Sequence, residues 1–358
     1  MANQNFRDAK KARNDEFYTQ YSDIEKEINA YLELDENAFR DKTVLLPCDD
    51  PEWSAFTRFF ATQFERLGLR KLISTSYAPD AKPKVLDLHP TLFEIESPQF
   101  DKSKSTSRGK IFVLDEDRNG DRKIDLDDLD WTYLEGDGDF RSEEVSRLRD
   151  EADIIVTNPP FSLFQDFLSW IMEAEKSFLL IGPMSALTYK DVFRYLAEGK
   201  LWLGNGFESG NAYFASPRRQ DFAEGVFDDS TGLVKFRNVD WLTNMDHGRR
   251  HQALGLMTQQ DNVKYVDDLK QAGYRKYDNY DAIEVSRTKY IPSDYKGLMG
   301  VPVSFLQKHN PEQFEIVGMS GNGTMPSDAL IPGQAKYDRP YLDGRRMYVR
   351  LFIRNRGE

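Results

Sequence analysis

The sequence predicts an α/β protein built on a mostly parallel sheet, and three observations carry that prediction. Short apolar runs, each long enough for one buried strand, alternate with amphipathic helical stretches from about Asp23 to about Gly255. Polar turns punctuate the passages between them. The length of 358 residues, with 39% hydrophobic and 13% aromatic residues, supplies a sizeable core despite 30% charged residues.

The elements follow in order. An acidic amphipathic helix is expected over Asp23 to Leu34, then a short buried strand from Val44 to Pro47 in "KTVLLPCDDP". In "EWSAFTRFFATQFERLG", Trp53, Phe56, Phe60 and Phe64 recur on one helix face, and Gly68 is the stop signal. "RKLISTSY" is the next strand. Pro79 to Ser107 reads as irregular, and Asn119-Gly120 predicts a hairpin turn joining "KIFVLDEDR" to "DRKIDL". The sheet resumes with "ADIIVTNPPF", a helix from about Ser162 to Glu175, the strand "KSFLLIGPM", the helix "YKDVFRYLAEG" and the strand "KLWLG". After a polar insert from Phe207 to Arg237, "NVDWLTNM" is expected to be the sheet's last strand. Beyond Gly255 the pattern loosens, and a second, smaller domain is expected there.

No apolar run approaches the ~20 residues that span a bilayer, and the polar N-terminus is unlike a secretory signal. Cys48 is the only cysteine, which excludes an internal disulfide and fits a reducing cytoplasm. The net charge of −12 argues against a polyanionic partner at long range. Charge is local, however. Arg7, Lys10, Lys11 and Arg13 stand near the start, and Lys336, Arg339, Arg345, Arg346, Arg350, Arg354 and Arg356 near the end face only Asp338, Asp343 and Glu358.

Three constellations invite chemistry. In "DEDRNGDRKIDLDD", Asp117, Asn119, Asp121, Asp125 and Asp128 fall at calcium-loop spacing. Arg122 stands where glycine is needed and a β-rich run precedes the loop, so the hairpin is favoured and no metal site is expected. His247 and His251 have the spacing of helix-borne metal ligands, but Gly248 weakens that helix. Asn158-Pro159-Pro160-Phe161 differs because it ends a buried strand, where ligands of parallel sheets collect. Its prolines stiffen the turn, so the Asn158 side-chain oxygen and the Pro159 carbonyl can both accept from one –NH₂ group, with Phe161 against the ring that carries it. The plainer alternative is an asparagine capping the next helix.

At these residues the chain resembles S-adenosylmethionine-dependent amino methyltransferases, which carry N-P-P-aromatic as their catalytic motif. "DEFYTQYSDIE", "CDDP", "LGLRKLISTSY", "GDGDFRS", "VTNPPFSLF", "KLWLG", "WLTN", "KYDNYDAI", "GLMGVPVSFL" and "NPEQFE" are similar, in order, to the EcoRI-type adenine-specific DNA methyltransferases. That likeness runs from about Asp15 to Phe314. It implies a Rossmann-like class I methyltransferase sheet with its last strand antiparallel. The catalytic domain would cover residues 1–255, with inserts at 79–135 and 207–237, and residues 256–358 would form a target-recognition region. It further implies that Asn158, Pro159, Pro160 and Phe161 act on an adenine flipped out of double-stranded DNA.

The cofactor S-adenosyl-L-methionine would then meet Phe17, Tyr18, Thr19, Cys48, Asp49, Asp50, Pro51, Ser76, Tyr77, Asp139, Phe140 and Asn158. Two departures stand out: "PCDDP" replaces the usual glycine-rich loop, and "LISTSY" lacks the usual ribose-binding acid. Arg249, Arg250, Arg345 and Arg346 are the expected DNA contacts. A monomer, with a restriction endonuclease acting on the same site, is the expected setting. The rival readings are a protein-glutamine methyltransferase and an inactive scaffold that binds DNA.

Overall fold

The structure is a computed structural model that describes residues 18–49, 54–78, 97–207, 210–215, 226–335 and 338–356. Phe17, Asp50, Pro51, Trp53 and the cations Arg7 to Arg13 and Lys336 lie outside the described residues. The chain divides into two compact units, Met1–Pro183 with Asn205–Met245, and Met184–Gly204 with Asp246–Glu358. The expected boundary at residue 255 therefore falls inside the second unit.

The first unit opens with β1 (Tyr18–Thr19) and α1 (Tyr21–Leu32), whose Ile24, Ile28 and Tyr31 share one buried face. Next come β2 (Thr43–Leu46), α2 (Ala55–Thr62), α3 (Phe64–Leu67) and β3 (Lys71–Ser76). Ser54 caps α2 by accepting from the Phe56 N–H at 3.1 Å. They are followed by β4 (Lys110–Leu114), β5 (Asp130–Tyr133), α4 (Glu143–Glu151), β6 (Ile154–Thr157), α5 (Phe164–Glu173) and β7 (Ser177–Pro183). Every residue of β2 and β6 is buried, as expected of central strands covered on both faces.

The second unit takes α6 (Lys190–Ala197) and β8 (Trp202–Leu203) before the chain returns to the first. There β9 (Asn211–Ala215), β10 (Phe227–Asp228) and β11 (Leu233–Arg237) join β1 in a sheet of order β1-β9-β11-β10. Strand β12 (Val239–Thr243) then completes the first unit's part of the central sheet, which runs β5-β4-β3-β2-β6-β7-β12.

Within that sheet β3, β2, β6 and β7 are parallel, in the register Leu72↔Val44, Val44↔Ile154 and Ile155↔Phe178. The expectation of a mostly parallel sheet holds for these four. Strand β12 is antiparallel to β7, as expected of a last strand, but β4 and β5 are antiparallel too.

The 110–133 hairpin exists, with Lys110 opposite Tyr133, but its second strand starts at Asp130 rather than at "DRKIDL". The acidic side chains explain the longer turn. Asp117 accepts from the N–H groups of Gly120 at 2.6 Å and Arg122 at 2.8 Å, and Asp128 from those of Arg118 at 2.8 Å and Asn119 at 3.0 Å. Among the described residues no cluster of three or more Asp, Glu, His or Cys could hold a metal ion.

The second unit continues with α7 (Gln259–Tyr265), α8 (Asp267–Lys270), β13 (Ala282–Glu284), β14 (Leu298–Val301) and β15 (Phe314–Met319). A hairpin of β16 (Tyr341–Leu342) and β17 (Arg345–Arg346) precedes β18 (Leu351–Asn355). Its main sheet runs β13-β14-β18-β15. Tyr277, Tyr280, Leu298, Met325 and Phe352 form its core. Arg350 and Glu284, both nearly buried, pair at 2.8 Å and pin the chain just ahead of β18.

Candidate active site

The carboxyl ends of β3, β2 and β6 stand side by side, and polar side chains brace them together. After β2 the chain turns without glycine because Cys48 itself adopts the left-handed conformation, φ 68°. Asp49 follows, 7% exposed. Its N–H donates to the Thr75 carbonyl at 2.7 Å, and its own carbonyl accepts from Ser74. Its carboxylate accepts from Ser54 Oγ at 2.8 Å and from Thr157 Oγ1 at 2.6 Å. Asp49 is thus the brace that locks the loop onto the residue before Asn158. Each carboxylate oxygen of Asp49 already holds one hydroxyl.

Strand β6 delivers Asn158 half-buried at this junction. The two prolines remove N–H donors where no strand partner continues, so the turn loses no ladder bond. Pro160 lies at φ −53° and ψ 123°, and its carbonyl accepts from the Leu163 N–H at 2.9 Å to start the turn Phe161–Leu163 ahead of α5. The residue capping α5 is Leu163, so Asn158 is not a helix cap and the plainer reading of the motif falls. Instead its amide nitrogen donates to Thr19 Oγ1 at 3.5 Å. Phe161 meets the Phe236 ring edge-on, centroids 6.2 Å apart. Strands β1 and β11 therefore hold the two ends of the motif, and both belong to the sheet formed by the 207–237 insert.

A third wall comes from "GDGDF". Ala78 donates to the Asp137 carbonyl at 2.7 Å, which lays this loop along the end of β3. Gly138 is required there: its φ is 85°, and a Cβ would sit 2.3 Å from the Ser76 carbonyl oxygen. Burial pushes the Tyr77 phenol up, with Cys48 and Asp139 facing it. Arg141 grips Asp139 at 2.9 and 2.6 Å and holds its carboxyl below the usual range.

The sequence model for the EcoRI adenine-specific methyltransferases matches residues 5–356. The chain belongs to that family. Among curated relatives it is 39% identical to type II methyltransferase M.EcoRI of Escherichia coli, over 95% of this chain and 96% of that protein. It is 33% identical to type II methyltransferases M.MgeORF184P of Mycoplasma genitalium and M.MpnI of Mycoplasma pneumoniae, over 98% of each chain in both cases. No solved structure matches it significantly.

The chain is thus an adenine-specific methyltransferase, and membership implies S-adenosylmethionine as methyl donor. The strand ends suit such a group. Asp139, Tyr77 and Asn158 offer oxygen acceptors, and the nearby Arg141 cation is neutralised by Asp139, which leaves room for a sulfonium charge. Two further expected contacts are buried. Ser76 has its carbonyl against Gly138, and Phe140 packs against Phe167 and Trp170 at 4.8 and 5.6 Å.

The four expected DNA contacts lie in the second unit of this methyltransferase and divide sharply. Arg250 stacks over the Trp202 ring at 3.8 Å, and its side chain is 19% exposed. Arg249 lines, with Arg250, His247, His309 and Arg356, a cavity of about 160 Å³. His247 bonds the Leu203 carbonyl at 2.9 Å, whereas His251 pairs with Asp246 at 2.8 Å, so the two histidines do not share a ligand. Arg345 and Arg346 are exposed on β17, and neither forms an ion pair among the described residues.

Several residues that shape the site escape sequence reading. Phe236 carries only the alternation of "LVKFR" as a signal, and its contact with Phe161 depends on how the insert folds. Arg141 lies two residues past Asp139, a spacing at which pairing is not foreseeable without the turn.

Proposed function

We propose that the chain is a site-specific DNA methyltransferase that methylates the N6 amine of an adenine flipped out of the duplex. The observation that carries this reading is the half-buried Asn158 amide at the end of β6, beside Thr19 and in a turn that cannot continue the strand. Asn158 Oδ1 and the Pro159 carbonyl accept the two amine protons, which directs the nitrogen lone pair outward. Phe161, held on edge by Phe236, lies against the base. S-adenosylmethionine supplies the methyl group when bound. Tyr77 and Asp139 hold its adenosine end, and Tyr18 and Thr19 border its methionine end, in a sheet of the Rossmann-like methyltransferase type.

Holding the amine and excluding water account for most of the rate. Flipping costs a few kcal/mol, which DNA binding offsets. Residues 1–255 carry the chemistry and residues 256–358 the target recognition, with Arg345 and Arg346 supplying phosphate attraction that the net charge of −12 lacks. A monomer acting in the cytoplasm beside an endonuclease for the same site completes the reading. Among the described residues no helix is long and apolar enough to cross a membrane.

The test is expression in a host without adenine methylation, followed by modification-sensitive sequencing. N6-methyladenine at one short motif, absent with Asn158→Ala, is the expected result. Folded parent protein that leaves all DNA adenine unmodified overturns the reading.

A further inference from the structure

We propose that Tyr348 inserts its ring at a base step of the recognition duplex and stacks there, a role that rests on the DNA methyltransferase reading above. Tyr348 is 80% exposed, more than any other large apolar side chain described. Its segment is nonetheless firmly held. Met347 donates to the Pro340 carbonyl at 2.7 Å and packs on the Tyr277–Phe352 core. Arg350 donates from its N–H to Ser320 Oγ at 2.8 Å, and its guanidinium is clamped by Glu284. Side chains alternate along this extended stretch, so Met347 anchors while Arg346 and Tyr348 point to solvent. An aromatic ring fixed in water from both sides is poised for a partner with a flat face.

Charge identifies that partner. Arg345 and Arg346 stand exposed three and two residues before the ring, in the β17 arm of a tight hairpin. The acid at its tip, Asp343, is already taken by Arg275 at 2.6 Å, and the Gly344 N–H is anchored on Asp278 at 2.7 Å. Two exposed cations, in no ion pair among the described residues, beside a rigid ring on a chain of net charge −12 fit a polyanion with planar groups, namely nucleic acid. In a duplex the base faces are covered by their neighbours, so the ring gains contact only where a step opens, as apolar wedges do elsewhere.

The experiment measures binding of cofactor-loaded protein to its cognate duplex across a salt series, for the parent and for Tyr348→Ala, Tyr348→Phe and Arg346→Ala. Tyr348→Ala binds about 5- to 150-fold more weakly, while Tyr348→Phe stays within about twofold of the parent. The salt slope of Tyr348→Ala matches the parent's, whereas Arg346→Ala lowers it by about one. In a walk of 2-aminopurine along the site, a position brightens with the parent and Tyr348→Phe and stays dark with Tyr348→Ala. Thermal midpoints are equal throughout, because the ring contributes nothing to the folded core.

Tyr348→Ala binding as tightly as the parent sinks the proposal. So does Tyr348→Phe binding as weakly as Tyr348→Ala, which would mean a hydroxyl contact to phosphate. A parent that binds and methylates no duplex removes the methyltransferase reading itself, a different result from an active parent indifferent to Tyr348.

Discussion

The Asn158-Pro159-Pro160-Phe161 turn and the β16–β17 hairpin present their side chains by opposite means. At the turn, rigidity comes from prolines and from buried hydroxyls converging on Asp49, and the group on offer is a half-buried acceptor. At the hairpin, rigidity comes from an anchored two-residue tip at Asp343-Gly344, and the groups on offer are exposed cations. An amide must be desolvated and fixed to select one orientation of an amine, because water would otherwise compete for both. A phosphate contact acts through charge and tolerates solvent. The contrast predicts that damage at the turn appears in turnover and stability, whereas damage at the hairpin appears in salt-dependent affinity.

The sharpest way to break that contrast is Asn158→Ala. It is expected to lower kcat about 100- to 1000-fold, the scale of losing one preorganised polar contact at a reacting centre, with cofactor binding by calorimetry retained. A loss confined to KM would place Asn158 with the hairpin residues instead. Next, Asp49→Ala leaves the Ser54 hydroxyl buried without its acceptor and takes one of two from Thr157, which keeps the Pro47 carbonyl at 2.8 Å. Roughly 2 to 4 kcal/mol of unfolding free energy should disappear in a denaturant titration. Stability close to the parent's would show that the brace is dispensable.

A third prediction uses pH. Burial raises the Glu27 carboxyl to about 7 although it accepts from the Asn205 and Gly206 N–H groups at 2.9 Å each. Its folded value lies above the ordinary 4.5, so the protonated form is favoured by folding. The associated stability is fully present below about pH 4.5 and is lost as pH rises through 7, on the order of 3 kcal/mol in all. Thermal midpoints measured across that window should fall less steeply for Glu27→Gln than for the parent. Parallel curves would contradict the assignment. The smallest effect belongs to Arg345→Ala, expected to flatten the salt dependence of DNA binding by about one unit of slope with kcat unchanged. An unchanged slope would remove Arg345 from the interface.

How far the sequence foretold this arrangement differs between the same two regions. The central strands were legible because buried parallel strands are continuous apolar runs, and β2, β3, β6 and β7 fall where those runs lie. Asn158 was legible because its motif follows such a strand. The reversal of β4 and β5 was not, since an apolar run such as "KIFVL" reads alike in both directions. Asn119-Gly120 misled about where the second strand begins because Asp117 and Asp128 capture the backbone donors first. The setting of Arg250 was not legible either: a cation in a basic run reads as surface, and only folding brings Trp202 beneath it.

The most direct test of the central claim is nucleoside mass spectrometry of duplex DNA incubated with cofactor and either purified parent or Asn158→Ala. The account predicts N6-methyladenine from the parent and none above background from the variant, while both proteins bind the cofactor. Methylation by Asn158→Ala at the parent's rate, or none by a folded, cofactor-bound parent on DNA containing every short motif, would contradict it.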